Sequence, residues 1–403
     1  MSSGLIARTR TRLRRLAGFD ALLLSAAIWF LAKFLRYAFP PLFPTFGETF
    51  AASNAELGAA FTAMMTVYAA MQFPSGALAD RVGAVRVVVA GAVVAAVGAL
   101  VLVVPSPFAA LVGAMLLVGF GTGAHKTVAV RLLSRTYPTH TGRALGVLDT
   151  FGALGGVAAP AAVVVALARA DWHTLFAVAG AVGLALAVAF AVRAPRRVPP
   201  PAEDAGDDAG LRTYLGLLTD PLFAAFVGVT LAFSFAYNGV VAFLPLYLAE
   251  RGGLSSATAS LVYSGLFAVS LVQLVTGDLS DRVGRLPVIG VTLGLAAVGL
   301  TALVAVGTAP LAVLGAAVVA VGLGSHGFRP VRGAYLAAVI PETAAGGGLG
   351  VVRTLLMGAG AVAPAVVGVV SERAGFGVAF GLLAASMCLA VVGVGVVAVL
   401  DRR

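Results

Sequence analysis

The chain has 403 residues, of which 60% are hydrophobic and 11% charged, and 27 Lys and Arg against 17 Asp and Glu give a net charge of +10. A soluble domain carries about a quarter charged residues, so this composition excludes an ordinary water-soluble fold and implies a surface that faces lipid. The single cysteine, Cys388, lies inside an apolar stretch and excludes both a disulfide framework and a Cys-based metal site made by this chain alone.

A helix needs about 20 apolar residues to cross a hydrocarbon core about 30 Å thick. Stretches of that kind recur twelve times and predict spans at 19–45, 56–79, 86–104, 108–133, 144–168, 174–192, 221–248, 257–279, 286–306, 310–336, 347–370 and 376–399. The Arg-rich segment before the first span, with Arg14-Arg15, has the flavour of a cleavable or twin-arginine signal. The apolar run behind it is longer than a signal h-region of about 7–15 residues and lacks a small-residue cleavage site, so a retained first helix is expected.

The basic residues follow topology rather than forming a nucleic-acid patch. With the N-terminus inside, 17 Arg fall in cytoplasmic segments, from Arg8 through Arg81, Arg86, Arg135, Arg143, Arg282 and Arg285 to Arg403; only Arg169, Arg251 and Arg373 fall outside. That bias sets the orientation and an even number of spans, placing both termini in the cytoplasm of a multi-pass plasma-membrane protein.

Between the sixth and seventh spans the pattern breaks at Pro195, Pro199, Pro200 and Pro201 and at the acidic Glu203, Asp204, Asp207 and Asp208, which read as a solvated linker. The expected organisation is a six-helix unit over 1–192, a linker over 193–220 and a second six-helix unit over 221–403. The two units repeat. Gly76-Ala-Leu-Ala-Asp80-Arg81-Val-Gly83 matches Gly277-Asp-Leu-Ser-Asp281-Arg282-Val-Gly284 at an offset of 201, and Gln72/Gln273 and Pro44/Pro245 keep that offset. Later landmarks drift slightly: Lys126 meets Arg329 at 203 and Asp149 meets Arg353 at 204. Six spans per copy give parallel repeats about an axis along the membrane normal.

The loop Gly76-x-Leu78-Ala79-Asp80-Arg81-x-Gly83-x-x-Arg86, with its weaker second copy running to Arg285, resembles the signature of the major facilitator superfamily, and the resemblance covers nearly the whole chain. It implies an all-α polytopic fold of two pseudo-symmetric six-helix bundles that rock about a central site lined by helices 1, 4, 7 and 10. It also implies a conformational latch made by the motif loops. The expected latch residues are Gly76, Asp80, Arg81, Gly83, Arg86, Gly277, Asp281, Arg282 and Arg285, with Asp149 and Arg353 as oppositely charged partners on helices 5 and 11. Crossed pairs are expected, Asp80 with Arg353 and Asp149 with Arg282 or Arg285; the alternative is that Asp149 and Arg353 face the cavity and meet each other or the solute. The bland reading of the loops is that they only mark topology.

Seven basic residues fall inside the spans, Lys33, Arg36, Lys126, Arg131, Arg329, Arg332 and Arg353, against the single well-embedded carboxylate Asp149. An unpaired charge at a helix centre costs at least about 2.5 kcal/mol on insertion scales, so such cations need a wet cavity and a partner, and the missing counter-charge is expected to be the solute. Lys126 and Arg329, related by the repeat, are the expected anion clamp. Lys33 and Arg36 share a face with Tyr37 as secondary contacts, although Arg36 near Pro40 and Pro41 could instead snorkel outward. Asn238, Gln72 and Gln273 are possible polar lining. Asp149, His125 and His326 are candidates for proton coupling, with packing the commoner role of a helical histidine.

Gly322-x-Gly324-x-x-Gly327 fits a dinucleotide pattern but sits within an apolar helix, where packing explains it better. There is no GxxxxGK[ST], HExxH or GxSxG. These readings converge on a secondary transporter, not an enzyme, without cofactor or metal and without a nucleic-acid partner. It would move a small anionic solute by proton symport or by antiport against a counter-solute, working as a monomer in membrane lipid. Efflux of amphipathic drugs and a non-transporting receptor are the alternatives.

Overall fold

The computed structural model describes residues 19–196, 219–339 and 345–402; of Arg196 and residues 345–356 only the backbone is described. The described residues are helical almost throughout. In chain order α1 is Asp20–Phe50; α2 comprises Asn54–Ala70 and Gln72–Val82; α3 is Ala84–Val101, α4 Phe108–Thr136, α5 Thr141–Arg169 and α6 Trp172–Arg193. The second set is α7 Pro221–Glu250, α8 Ser256–Val283, α9 Arg285–Val306 and α10 Leu311–Val339, followed by α11 and α12, which run as one stretch Ala345–Leu400 interrupted at Gly375.

Among the described residues, ten segments are long and apolar enough by themselves to cross a membrane. The expected twelve follow once two features are read. The φ of 82° at Gly375 separates α11 from α12, and α2, which carries Asp80 and Arg81, breaks at Met71 into two shorter helices. Polar capping starts several of these helices: Ser53 and Glu56 form a reciprocal capping box on α2, while Asp171, Asp220 and Ser255 accept from the first-turn amides of α6, α7 and α8. The Thr174 amide holds the Asp171 carboxyl below its ordinary range.

The internal repeat is carried by backbone contacts. A side chain at Gly121 would collide with the carbonyl of Gly91 and the amide of Ala95, and one at Gly324 with the carbonyl of Thr292 and the amide of Ala296; Gly98 and Gly299 make the same approach to Ala114 and Ala317. The close packing of α3 on α4 therefore recurs between α9 and α10. The tight turns after α2 and α8 both use glycine with positive φ, 96° at Gly83 and 94° at Gly284, a conformation that a side chain strongly disfavours.

The two sets meet through α2 against α11 and α5 against α8. The Ala55 amide donates to the Glu372 carboxylate at 2.6 Å, the Ala365 amide donates to Thr62 Oγ1 at 2.9 Å, and Ser264 Oγ donates to the Val157 carbonyl at 3.1 Å. Tyr37 stacks on Phe267 with centroids 4.6 Å apart, and Phe43 meets Phe243 edge-on at 5.3 Å. Gly58 is seated against the Pro364 carbonyl, and Gly368 against that of Asn54. All of these joints lie in the half of the molecule remote from the Asp80 loop. The bundles are thus closed at that far end.

Candidate functional site

Helix α1 brings Trp29, Lys33, Arg36 and Tyr37 to one side because residues three and four apart share a helical face. Lys33 Nζ donates to the Tyr37 hydroxyl at 3.1 Å and lies 4.8 Å from its ring centroid. Arg36 does not snorkel outward. It is 3% exposed, its guanidinium stacks 3.9 Å from the Tyr68 ring centroid, its Nε donates to the Ala32 carbonyl at 3.2 Å, and its Nη2 has no partner. Cation–π contact replaces water around that charge.

From the second bundle, α10 supplies Arg329, whose guanidinium lies 4.4 Å from the centroid of Tyr237 on α7. Lys33, Arg36 and Arg329 all lie within Coulombic reach of the Tyr37 hydroxyl. Among the described residues no carboxylate pairs with any of these three cations. Pro330 follows Arg329 inside α10, a local break in the backbone ladder that is tolerated beside a cavity or ligand.

Lys126, expected to join Arg329 in holding an anion, instead forms an ion pair with Asp149, and its ammonium lies 5.4 Å from the Trp29 ring centroid. Asp149 accordingly does not meet Arg282 or Arg285, as expected for a crossed latch: Arg282 pairs with Asp278, one turn away on its own helix, at 2.7 Å. Asp80 pairs with Arg131 on α4 of its own bundle at 2.9 Å. The side chain of Arg353, the expected partner of Asp80, lies outside the described residues. Arg81, Arg86, Asp281, Arg282 and Arg285 are exposed on the loop side, and Arg86 caps the Val82 carbonyl at 3.3 Å. On that side the Asp149, Asp80 and Arg131 side chains are 59%, 48% and 56% exposed.

Several residues proposed as lining are used by the helices themselves. Asn238 donates to the Ser234 carbonyl at 2.9 Å and packs on Gly360. Gln72 spans the breaks of α2 and α4, donating to the Gly123 carbonyl at 3.0 Å and accepting from Thr127 Oγ1 at 2.8 Å. Gln273 donates to the Ser270 carbonyl, and Thr122, one turn before Lys126, to that of Val118. His125 binds the Ser25 carbonyl at 3.0 Å and stacks on Trp29, as a packing residue does. His326 is buried with neither ring nitrogen in a hydrogen bond.

Sequence reasoning missed the aromatic frame of Trp29, Tyr68, Tyr237 and Phe267. Trp29 was legible as the residue one turn before Lys33; the others join only across helices.

The sequence model of the Major Facilitator Superfamily matches residues 25–272 and 253–403. The chain is 27% identical over 165 residues to the probable sulfoacetate transporter SauU of Cupriavidus necator, a stretch that spans 41% of this chain and only 38% of that protein. It is 25% identical over 363 residues to a probable 4-methylmuconolactone transporter of Cupriavidus pinatubonensis, covering 88% of this chain and 84% of the other. Among solved structures, the nucleoside transporter NupG superposes with a TM-score of 0.79 at 13% identity, covering 94% of this chain and 99% of that one. A bacterial homolog of the human lysosomal transporter Spinster, inward-facing and occupied, gives 0.77 at 16% identity over 94% and 96%.

Proposed function

The chain belongs to the Major Facilitator Superfamily, and from that premise we propose that this multi-pass membrane transporter carries a small anionic solute by alternating access. The bundles over 1–192 and 221–403 rock about the central site, with 193–220 as a cytoplasmic linker and both termini on the cytoplasmic side of the plasma membrane. In this reading the present conformation is open to the cytoplasm.

The observation that carries the proposal is that Lys33 and Arg36 of α1 and Arg329 of α10 lie within Coulombic reach of one Tyr37 hydroxyl while no carboxylate among the described residues pairs with them. Three cations held in a low-dielectric frame repel one another, and an arriving anion relieves that repulsion while accepting charge-assisted hydrogen bonds. The anion is therefore held chiefly by Lys33 and Arg329, one from each bundle, with Arg36 behind them. A ligand that bridges both bundles also favours their closure around it, which couples occupancy to rocking. The relatives named for sulfoacetate and 4-methylmuconolactone support a small organic anion. Lys126 and Asp149 form a second, internally neutral element, and Asp149 is the candidate proton carrier of a symport; exchange against a counter-solute is the other mode.

The test is counterflow by purified protein in liposomes across small sulfonates, carboxylates, phosphates, sugars and lipophilic cations. Exchange of one or more anions, weakened in Lys33→Gln and Arg329→Gln, is expected. Exchange of lipophilic cations alone, indifferent to both substitutions, would overturn the anionic reading.

A further inference from the structure

His326 lies three residues before Arg329 on α10. It is therefore about 4.5 Å further along the helix axis, in the direction away from the open, loop-bearing side. The ring is 3% exposed. It stands edge-on to Tyr237 at 6.1 Å and to Phe267 at 6.2 Å, and Phe267 is the ring that stacks on Tyr37 of the other bundle. The backbone of Leu266 runs beside it, yet neither Nδ1 nor Nε2 makes a bond of hydrogen-bonding geometry. Tyr237 is buried and carries the Arg329 guanidinium on its face; that cation lies beside the hydroxyl, yet the hydroxyl makes no bond of hydrogen-bonding geometry.

Buried polar groups in native proteins are nearly always hydrogen-bonded, because leaving them unpaired forfeits their hydration with no return. Here an imidazole and a phenol without hydrogen-bond partners face each other from α10 and α7, with the Arg329 guanidinium on the face of the phenol. The equivalent histidine of the first bundle, His125, sits next to Lys126 but has the Ser25 carbonyl as a partner. Unpaired buried polar atoms also occur in the first bundle, at Ser25 Oγ, Arg36 Nη2 and His125 Nδ1; what sets His326 apart is that neither of its ring nitrogens has a partner.

We infer that His326 and the Tyr237 hydroxyl form a second, uncharged polar subsite beside the cations, and that the solute is a short bifunctional acid. Its acid group meets Lys33 and Arg329. Its second oxygen-bearing group, about one helical turn away, hydrogen-bonds His326 and Tyr237. This inference rests on the anionic reading above and adds the demand for a second pole. An imidazole carries at least one N–H in either protonation state, and the phenol can donate or accept, so the pair accommodates a carboxylate, carbonyl or hydroxyl oxygen. A solute without that second group leaves both unpaired, and a site built to hydrogen-bond a group rejects analogues that lack it.

The experiment compares matched probes on the full chain in detergent and liposomes: sulfoacetate against ethanesulfonate, and malonate against propionate, in binding and in counterflow. Wild-type protein is expected to prefer at least one bifunctional member over its partner by about tenfold, the discrimination of one buried hydrogen bond. His326→Leu should bring that ratio near one while still binding ethanesulfonate or propionate, and His326→Asn should restore part of it. The empty His326→Leu protein should melt no lower than wild type, since the replaced ring makes no hydrogen bond. Equal binding of both members by wild type, or a preference retained in His326→Leu, overturns the subsite while the anionic reading stands. A His326→Leu protein that melts lower and loses both members alike shows a packing role and also overturns it. Failure of every anion to bind overturns both.

Discussion

Lys126 of α4 donates to Asp149 of α5 in an ion pair whose ammonium is 12% exposed and whose carboxylate is 59% exposed. The cation is the embedded partner and the acid is the more exposed one.

If Asp149 carries the coupled proton, Asp149→Asn should abolish uptake driven by a pH gradient while counterflow of the same anion persists. Exchange needs no net proton movement, so the two assays separate coupling from binding. Undiminished pH-driven uptake in the variant would remove Asp149 from the coupling step.

The three cations that meet no carboxylate among the described residues and the one that does should respond differently to neutralisation. Lys33→Gln or Arg329→Gln should weaken anion binding by about 1.5–3 kcal/mol, the typical worth of a hydrogen bond to a charged group. Lys126→Gln should cost less, because Asp149 already balances that charge in the empty site. Arg329→Lys should also weaken binding, since the ammonium lacks the planar fork and stacks less well on Tyr237. Titration calorimetry with the anion identified by counterflow checks the order.

At the closed end, Gly58 and Gly368 let α2 and α11 approach backbone to backbone. Gly58→Val places its side chain into the Pro364 carbonyl, so it should disfavour the present conformation and populate one open at the far end. Cysteines introduced near Glu48 and Glu250, which border a vestibule of about 500 Å³ there, should become more reactive in that background. Unchanged reactivity would show that the joint accommodates the added methyls.

The Asp80–Arg131 pair is half-exposed on both sides, and such pairs contribute roughly 0.2–1 kcal/mol. Reversing it with Asp80→Arg and Arg131→Asp should therefore leave folding intact. If the pair forms only while the loop side is open, each single variant should slow transport and the double variant should recover part of the loss. A double-mutant cycle with strictly additive losses would detach this pair from the transport cycle.

Orientation has its own test. Cysteines placed in the 193–220 linker, in a chain lacking Cys388, should resist impermeant thiol reagents in right-side-out vesicles, as expected from the 17-to-3 bias of the basic residues. Ready labelling would invert the topology.

The twelve spans, the six-plus-six repeat and the embedded cations of α1 and α10 were all legible in the sequence. They follow from local quantities: apolar length against bilayer thickness, the 201-residue offset, and cations too costly to bury without a purpose. Lys33, Arg36 and Tyr37 were placed correctly together because three- and four-residue spacings fix a helical face whatever surrounds it. Tertiary structure decided who meets whom. Asp149 lies 23 residues from Lys126 and reaches it because α4 and α5 present those side chains to each other, while the expected partners Arg282 and Arg285 stay at the loop; charge alone made each of them an equally good match. Likewise Tyr68 under Arg36 and Tyr237 under Arg329 come from separate helices, and the bare nitrogens of His326 become visible only once every neighbour around them is known. Composition and periodicity act along one helix at a time, whereas pairing and its absence are properties of the packed interior.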